Sequence, residues 1–187
     1  MSTIGHNRGP SMETGTGWRR HCWTRARADL LPTLPIEVVR LRVRRAAELG
    51  LDYRAYASFR AASGHDVVAL LFSTNALRLL PPVPALPEPH HARLSAIEGA
   101  TRAALARAPL TPRAVLALAR GALDHAAPAP RPFAGWAEAR RALLDALAPL
   151  CAPADAVLMV GDTGEERAWA EAARLGAYLP AERYFGP

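Results

Sequence analysis

Two short apolar runs constrain the fold of this chain more than anything else in it: residues 67–72 (Val-Val-Ala-Leu-Leu-Phe) and 156–160 (Ala-Val-Leu-Met-Val). Each is too short for a typical helix and apolar throughout, as a strand covered on both faces must be. Each also runs directly into a polar turn, Ser73-Thr74-Asn75 in one case and Gly161-Asp162-Thr163-Gly164 in the other, and then into helical sequence. Strand, turn and helix thus occur twice with helical segments between, which predicts a parallel sheet reached by a crossover. The expected class is α/β and helix-rich, with strands near 66–72 and 156–160 and about six flanking helices. In such sheets ligands sit beyond the carboxyl ends of the strands. Ser73, Thr74, Asn75, Asp162 and Thr163 are therefore expected to face one crevice.

The intervening segments read as helices separated by prolines. Residues 1–17 are rich in Gly, Ser, Thr and Asn and are expected to be a disordered tail before a single domain over 18–187. Trp18, Cys22, Ala26 and Leu30 recur every four residues, predicting an amphipathic helix stopped by Pro32. Ile36, Val39, Val43 and Ala46 predict a second helix ending at Gly50, and Asp52 is placed to cap a third that ends at Ser63-Gly64. Five prolines between 81 and 89 make an extended connector. Beyond it, Leu94, Ile97, Thr101, Ala104 and Leu105 read as a helix to Pro109. Thr111-Pro112 starts another that ends near Ala126, and Trp136, Ala139, Leu143 and Leu147 form one ended by Pro149. The last helix, residues 165–175, should turn Ala168, Ala172 and Leu175 inward.

Charge is segregated. The chain has a net charge of +6 and no lysine, and residues 1–46 hold nine arginines against Glu13, Asp29 and Glu37, while the rest is balanced. Arg19, Arg20, Arg25 and Arg27 beside Trp18, with Arg42 and Arg45 on the next helix, form a candidate surface for an acidic protein or a nucleic acid. A helix-turn-helix over the segments around Arg40 to Arg60 is a third reading. The absence of lysine excludes Schiff-base and P-loop chemistry in their usual forms. The excess of Ala, Pro and Arg reads as bacterial coding bias. Cys22 and Cys151 are too isolated to suggest a disulfide framework or a zinc site. With no apolar run long enough to span a bilayer and no secretory signal, a cytoplasmic location away from membranes is expected.

Two local patterns carry chemistry. Hydroxyl and amide side chains at Ser73, Thr74 and Asn75, opening a helix over 76–80, would hold an anion; Asp162 with Glu166, one turn apart, would hold a hard cation such as magnesium. Both resemble motifs of the haloacid-dehalogenase-like phosphohydrolases. Residues 67–75 are similar to that family's strand ending in a phosphate-binding Ser or Thr, and residues 157–166 to its strand ending in magnesium-binding acids. The chain departs from the pattern in lacking a DxD at the end of an earlier strand and the family's phosphate-binding lysine. The leading expectation is accordingly a small accessory or interaction protein without catalytic activity or cofactor, docking through its basic N-terminal quarter. The alternative is an enzyme or binding protein for a small phosphorylated or carboxylated ligand at the strand ends 73–75 and 161–166.

Overall fold

The computed structural model describes residues 34–80, 82 and 84–186. The expected tail and the helix over 18–30, with Arg19, Arg20, Arg25 and Arg27, lie outside these. Residues Arg40–Pro187 make one compact unit. In chain order the elements are α1 (Ile36–Glu48), α2 (Tyr53–Ser63), β1 (Ala69–Ser73), α3 (Glu88–Ser95), β2 (Thr101–Ala106), α4 (Pro112–Ala119), β3 (His125–Pro128), α5 (Trp136–Leu147), β4 (Val157–Gly161), α6 (Gly164–Ala173), β5 (Ala177–Pro180) and α7 (Ala181–Phe185).

The five strands form one parallel sheet in the order β3-β2-β1-β4-β5. The two strands legible in the sequence are the central neighbours, with Ala69 opposite Val157 and Phe72 opposite Val160. The fold is thus α/β, helix-rich and parallel, as expected, but with three further strands. β2 and β3 replace the predicted continuations of the helices to Pro109 and Ala126. α3 stops at Ser95, and α4 stops at Ala119 in a left-handed Arg120. Both edge strands are four residues long and end in proline, Pro128 and Pro180.

Alternation along the central strands separates two cores. Leu70, Phe72, Leu158 and Val160 face a layer that includes Tyr56 and Phe59 of α2, Leu94 of α3, Val115 of α4 and Tyr184 of α7. Ala69, Leu71, Val157 and Met159 face Leu143 and Leu147 of α5 and Trp169 of α6. Burying each large apolar side chain here contributes about 1.5–3 kcal/mol, which is why both central strands are apolar on both faces. The helix starts follow local chemistry. Asp52 accepts from Ala55 N–H at 2.7 Å and Thr111 from Ala114 N–H at 3.2 Å, as their positions predict. On α6 the cap is Thr163, which accepts from Glu166 N–H. Ala172 of α6 is buried as expected, while Ala168 is exposed and Leu175 is half-buried.

Candidate functional site: the carboxyl end of the sheet

β1 lies between β2 and β4, so the turns after these strands meet at one end of the sheet. The turn after β1 is not the start of a helix. Ser73 Oγ accepts from Ala76 N–H at 3.0 Å, and the Ser73 and Asn75 carbonyls take the N–H groups of Leu77 and Arg78. The amides expected to attract an anion are therefore spent inside the turn. Ser73 and Thr74 are themselves buried, and Thr74 Oγ1 accepts from Arg107 N–H at 3.3 Å. The turn closes in a left-handed Arg78, with φ 58°.

Glu166 is the centre of the arrangement. It is fully buried and receives three hydrogen bonds: Asn75 Nδ2 at 2.8 Å to one oxygen, Asp162 N–H at 2.6 Å and Thr163 N–H at 3.1 Å to the other. The two backbone donors come from the turn after β4 and the amide from the turn after β1, so this carboxylate ties the two strand ends together. Gly161 makes the approach possible. A Cβ built there would lie 2.9 Å from Glu166 Oε2 and 2.7 Å from the Tyr178 ring.

The neighbouring acids are held by arginines. Asp162 Oδ2 accepts from Arg78 Nη1 at 2.8 Å, and Arg107 Nη1 lies 3.0 Å from Glu165 Oε2 and 3.8 Å from Glu166 Oε1. The Arg107 contact is an ion pair off the N–H axis rather than a hydrogen bond; the guanidinium also lies over the Trp169 ring, 5.3 Å from its centroid. Glu165 Oε1 accepts from Phe133 N–H at 3.0 Å. Tyr178 donates to the Thr163 carbonyl, and its hydroxyl titrates above the usual phenol range because of burial and the nearby Glu166 carboxylate.

The structure thus brings Asn75, Asp162 and Glu166 together and keeps Ser73 and Thr74 inside the turn. This donor set does not fit magnesium: both Glu166 oxygens are engaged by N–H donors, and Asp162 is paired with a guanidinium. No group of three His, Cys, Asp or Glu among the described residues is arranged to hold a metal. Asp162 is also not the helix cap, a role taken by Thr163 and Glu166 as a reciprocal capping box. Arg78, Arg107, Glu165 and Tyr178 were not singled out from the sequence. Arginine is so common in this chain that only the strand order reveals which ones reach the site.

The basic surface also changes on inspection. Arg45 is a structural hub. Its guanidinium donates to Asp66, Glu48 and the carbonyls of Val67, Glu98 and Gly99, all at 2.8–3.2 Å. The close approach of Arg45 to Gly99 is possible because Gly99, with φ 65°, carries no side chain. Arg42 is half-buried on the same helix. Elsewhere an apolar groove of about 500 Å³ runs between α5 and α6, lined by Phe133, Trp136, Ala139, Ala168, Trp169 and Ala172 among others. Phe133 is 99% exposed and left-handed, with φ 59°, and Trp136 is 61% exposed with Arg140 over its ring.

No protein-family model matches this chain, and no curated protein and no solved structure matches it either. No described helix is long and apolar enough to cross a membrane.

Proposed function

We propose that this chain is a non-catalytic bacterial accessory protein of the cytoplasm, docking on an acidic partner through its basic N-terminal quarter. The observation that carries the reading is the closure of the strand ends. Glu166, Asp162 and Glu165, the acids that could serve chemistry there, are each engaged by groups of the chain itself. Both oxygens of Glu166 and of Glu165 are taken, and Asp162 is held through Oδ2, so of these acids only Asp162 Oδ1 is left to present to a substrate or a cation, short of the paired carboxylates that acid–base or hard-cation chemistry recruits. The docking half rests on charge: nine arginines against three acids over residues 1–46 favour an acidic partner, whether a protein or a nucleic acid.

Two measurements test the proposal. Thermal unfolding with and without magnesium and phosphate should show no shift, and p-nitrophenyl phosphate should not be hydrolysed; turnover, or a magnesium shift lost in Asp162→Asn, would return the enzyme reading. Replacing Arg19, Arg20, Arg25 and Arg27 together by Ser should weaken heparin retention and flatten its salt dependence. Unchanged retention removes the docking half of the proposal.

A further inference from the structure

We propose that a small cavity beside the strand ends, lined by Arg78, His90, Phe185 and their neighbours, is a binding site for a small organic monocarboxylate. The site goes beyond the docking function and is independent of it.

The cavity has a volume of about 220 Å³ and is lined by Arg78 from the turn after β1, residues at the start of α3, and Ala181, Glu182, Phe185 and Gly186 at the end of the chain. It therefore opens beyond the carboxyl ends of β1 and β5, the end of a parallel sheet at which ligands are bound. An apolar cavity of about 150 Å³ accommodates benzene, so this one has room for a single ring or a short branched chain with a carboxylate.

Its walls divide into an apolar body and a cationic end. Pro87, Pro89 and Phe185 supply the apolar surface. The His90 ring stacks on Phe185, with centroids 3.9 Å apart and planes inclined by 17°. Phe185 is held in turn against Phe72 and Tyr184, so the platform is rigid. The cationic end is Arg78. Asp162 occupies one of its amino groups at 2.8 Å, and a guanidinium carries five N–H donors, of which a carboxylate takes two in a fork. The left-handed backbone of Arg78, anchored by its N–H bond to the Asn75 carbonyl, fixes where the side chain leaves the turn.

The charge lining selects the ligand. His90 titrates below the usual imidazole range because of burial and then the positive charges of Arg78 and Arg93, which marks a positive local potential. Glu182 of α7 also lines the cavity. One anionic group is therefore favoured near Arg78 and His90, while the second negative charge of a phosphate dianion meets an acid on the same lining. The charged groups acting on His90 are Arg78 from the turn after β1 and Arg93 from its own helix, and Glu182 is the acid of the cavity wall. Protonation of His90 adds a second cation, so carboxylate binding tightens as pH falls below the usual imidazole range.

The test uses the full-length protein with benzoate as the probe, benzamide as its neutral counterpart and inorganic phosphate as the dianion, followed by ligand-observed NMR and calorimetry. Benzoate should bind in the millimolar range, with benzamide and phosphate weaker by about 10-fold or more, the worth of one charge-assisted contact. Arg78→Asn, which tolerates the left-handed backbone, should lose binding by a similar factor. Because that variant also frees Asp162, the pair Arg78→Asn with Asp162→Asn is the control and should remain defective. His90→Phe keeps the stack on Phe185 and should remove the pH dependence while leaving the fold intact. Equal binding of benzoate and benzamide, wild-type affinity in the double variant, or no benzoate binding at all overturns the proposal, and none of these results bears on heparin retention.

Discussion

Replacing Asn75 by aspartate probes the bond that joins the two central strand ends. In the native site the Asn75 amide donates to buried Glu166 at 2.8 Å, and a hydrogen bond to a charged acceptor contributes about 1.5–3 kcal/mol. Asn75→Asp removes this donor and sets a second carboxylate against the first. At a charge separation of about 4 Å and an effective dielectric constant of about 20 the repulsion is about 4 kcal/mol. The loss with both groups ionised is therefore about 5.5–7 kcal/mol, limited by protonation of one carboxyl. The measured cost should shrink as pH is lowered through the carboxylate range, because the unfolded chain then no longer gains by ionising both groups. Adding Glu166→Gln supplies an amide that donates to the new carboxylate, so the double variant should recover about 2–3 kcal/mol relative to the sum of the single changes. Urea unfolding followed by circular dichroism gives these differences from the midpoints, provided the slope stays constant. Additive single-variant effects, or a cost for Asn75→Asp below about 1 kcal/mol, would refute the account of this bond.

Three further outcomes follow from contacts elsewhere. Burial pushes the Tyr184 hydroxyl, which donates to the Leu49 carbonyl at 3.0 Å, up to about 12. Stability should therefore fall as pH rises from the ordinary phenol range towards that value, by about 1.4 kcal/mol per pH unit. The Tyr184→Phe variant, less stable by about 1 kcal/mol at neutral pH, should lack this fall when denaturation is followed against pH. Arg45→Ala strips five acceptors of their donor and should cost about 3 kcal/mol in urea unfolding, whereas Arg42→Ala should cost about 0.5 kcal/mol or less. Equal effects would contradict the hub role of Arg45. Gly161→Ala drives a methyl into Tyr178 and Glu166 and should cost about 2–4 kcal/mol by the same measurement.

The central strands were legible because each must be apolar on both faces, and 67–72 and 156–160 have that composition. β2 was not. Its sequence, Thr-Arg-Ala-Ala-Leu-Ala, is dominated by the residue with the highest helix propensity, and propensity yields here to pairing with β1 and burial of its last four residues. β3 and β5 are too short to show a period, and half-buried edge strands carry weak patterns. Within the site, Asn75, Asp162 and Glu166 stood out because polar residues ending an apolar run must be accounted for. Their partners Arg78 and Arg107 did not, since pairing across 84 residues, as between Arg78 and Asp162, is created by strand order alone. The expected helix over 76–80 failed for a local reason: Ser73 caps a first turn, but Arg78 then turns left-handed, its N–H bonds the Asn75 carbonyl and that of Leu79 reaches back to Thr74, which closes the turn before a helix can propagate.

The two edge strands have a consequence for how anything can attach to this protein. β3 and β5 are each four residues long, and the fourth is a proline, which has no N–H to donate. A visiting peptide therefore finds too short a template for β-augmentation, and one copy of the sheet cannot seed the growth of another edge to edge. Among the described residues the sheet edges thus offer a partner little main chain to pair with, and the larger surfaces are those of helices and loops.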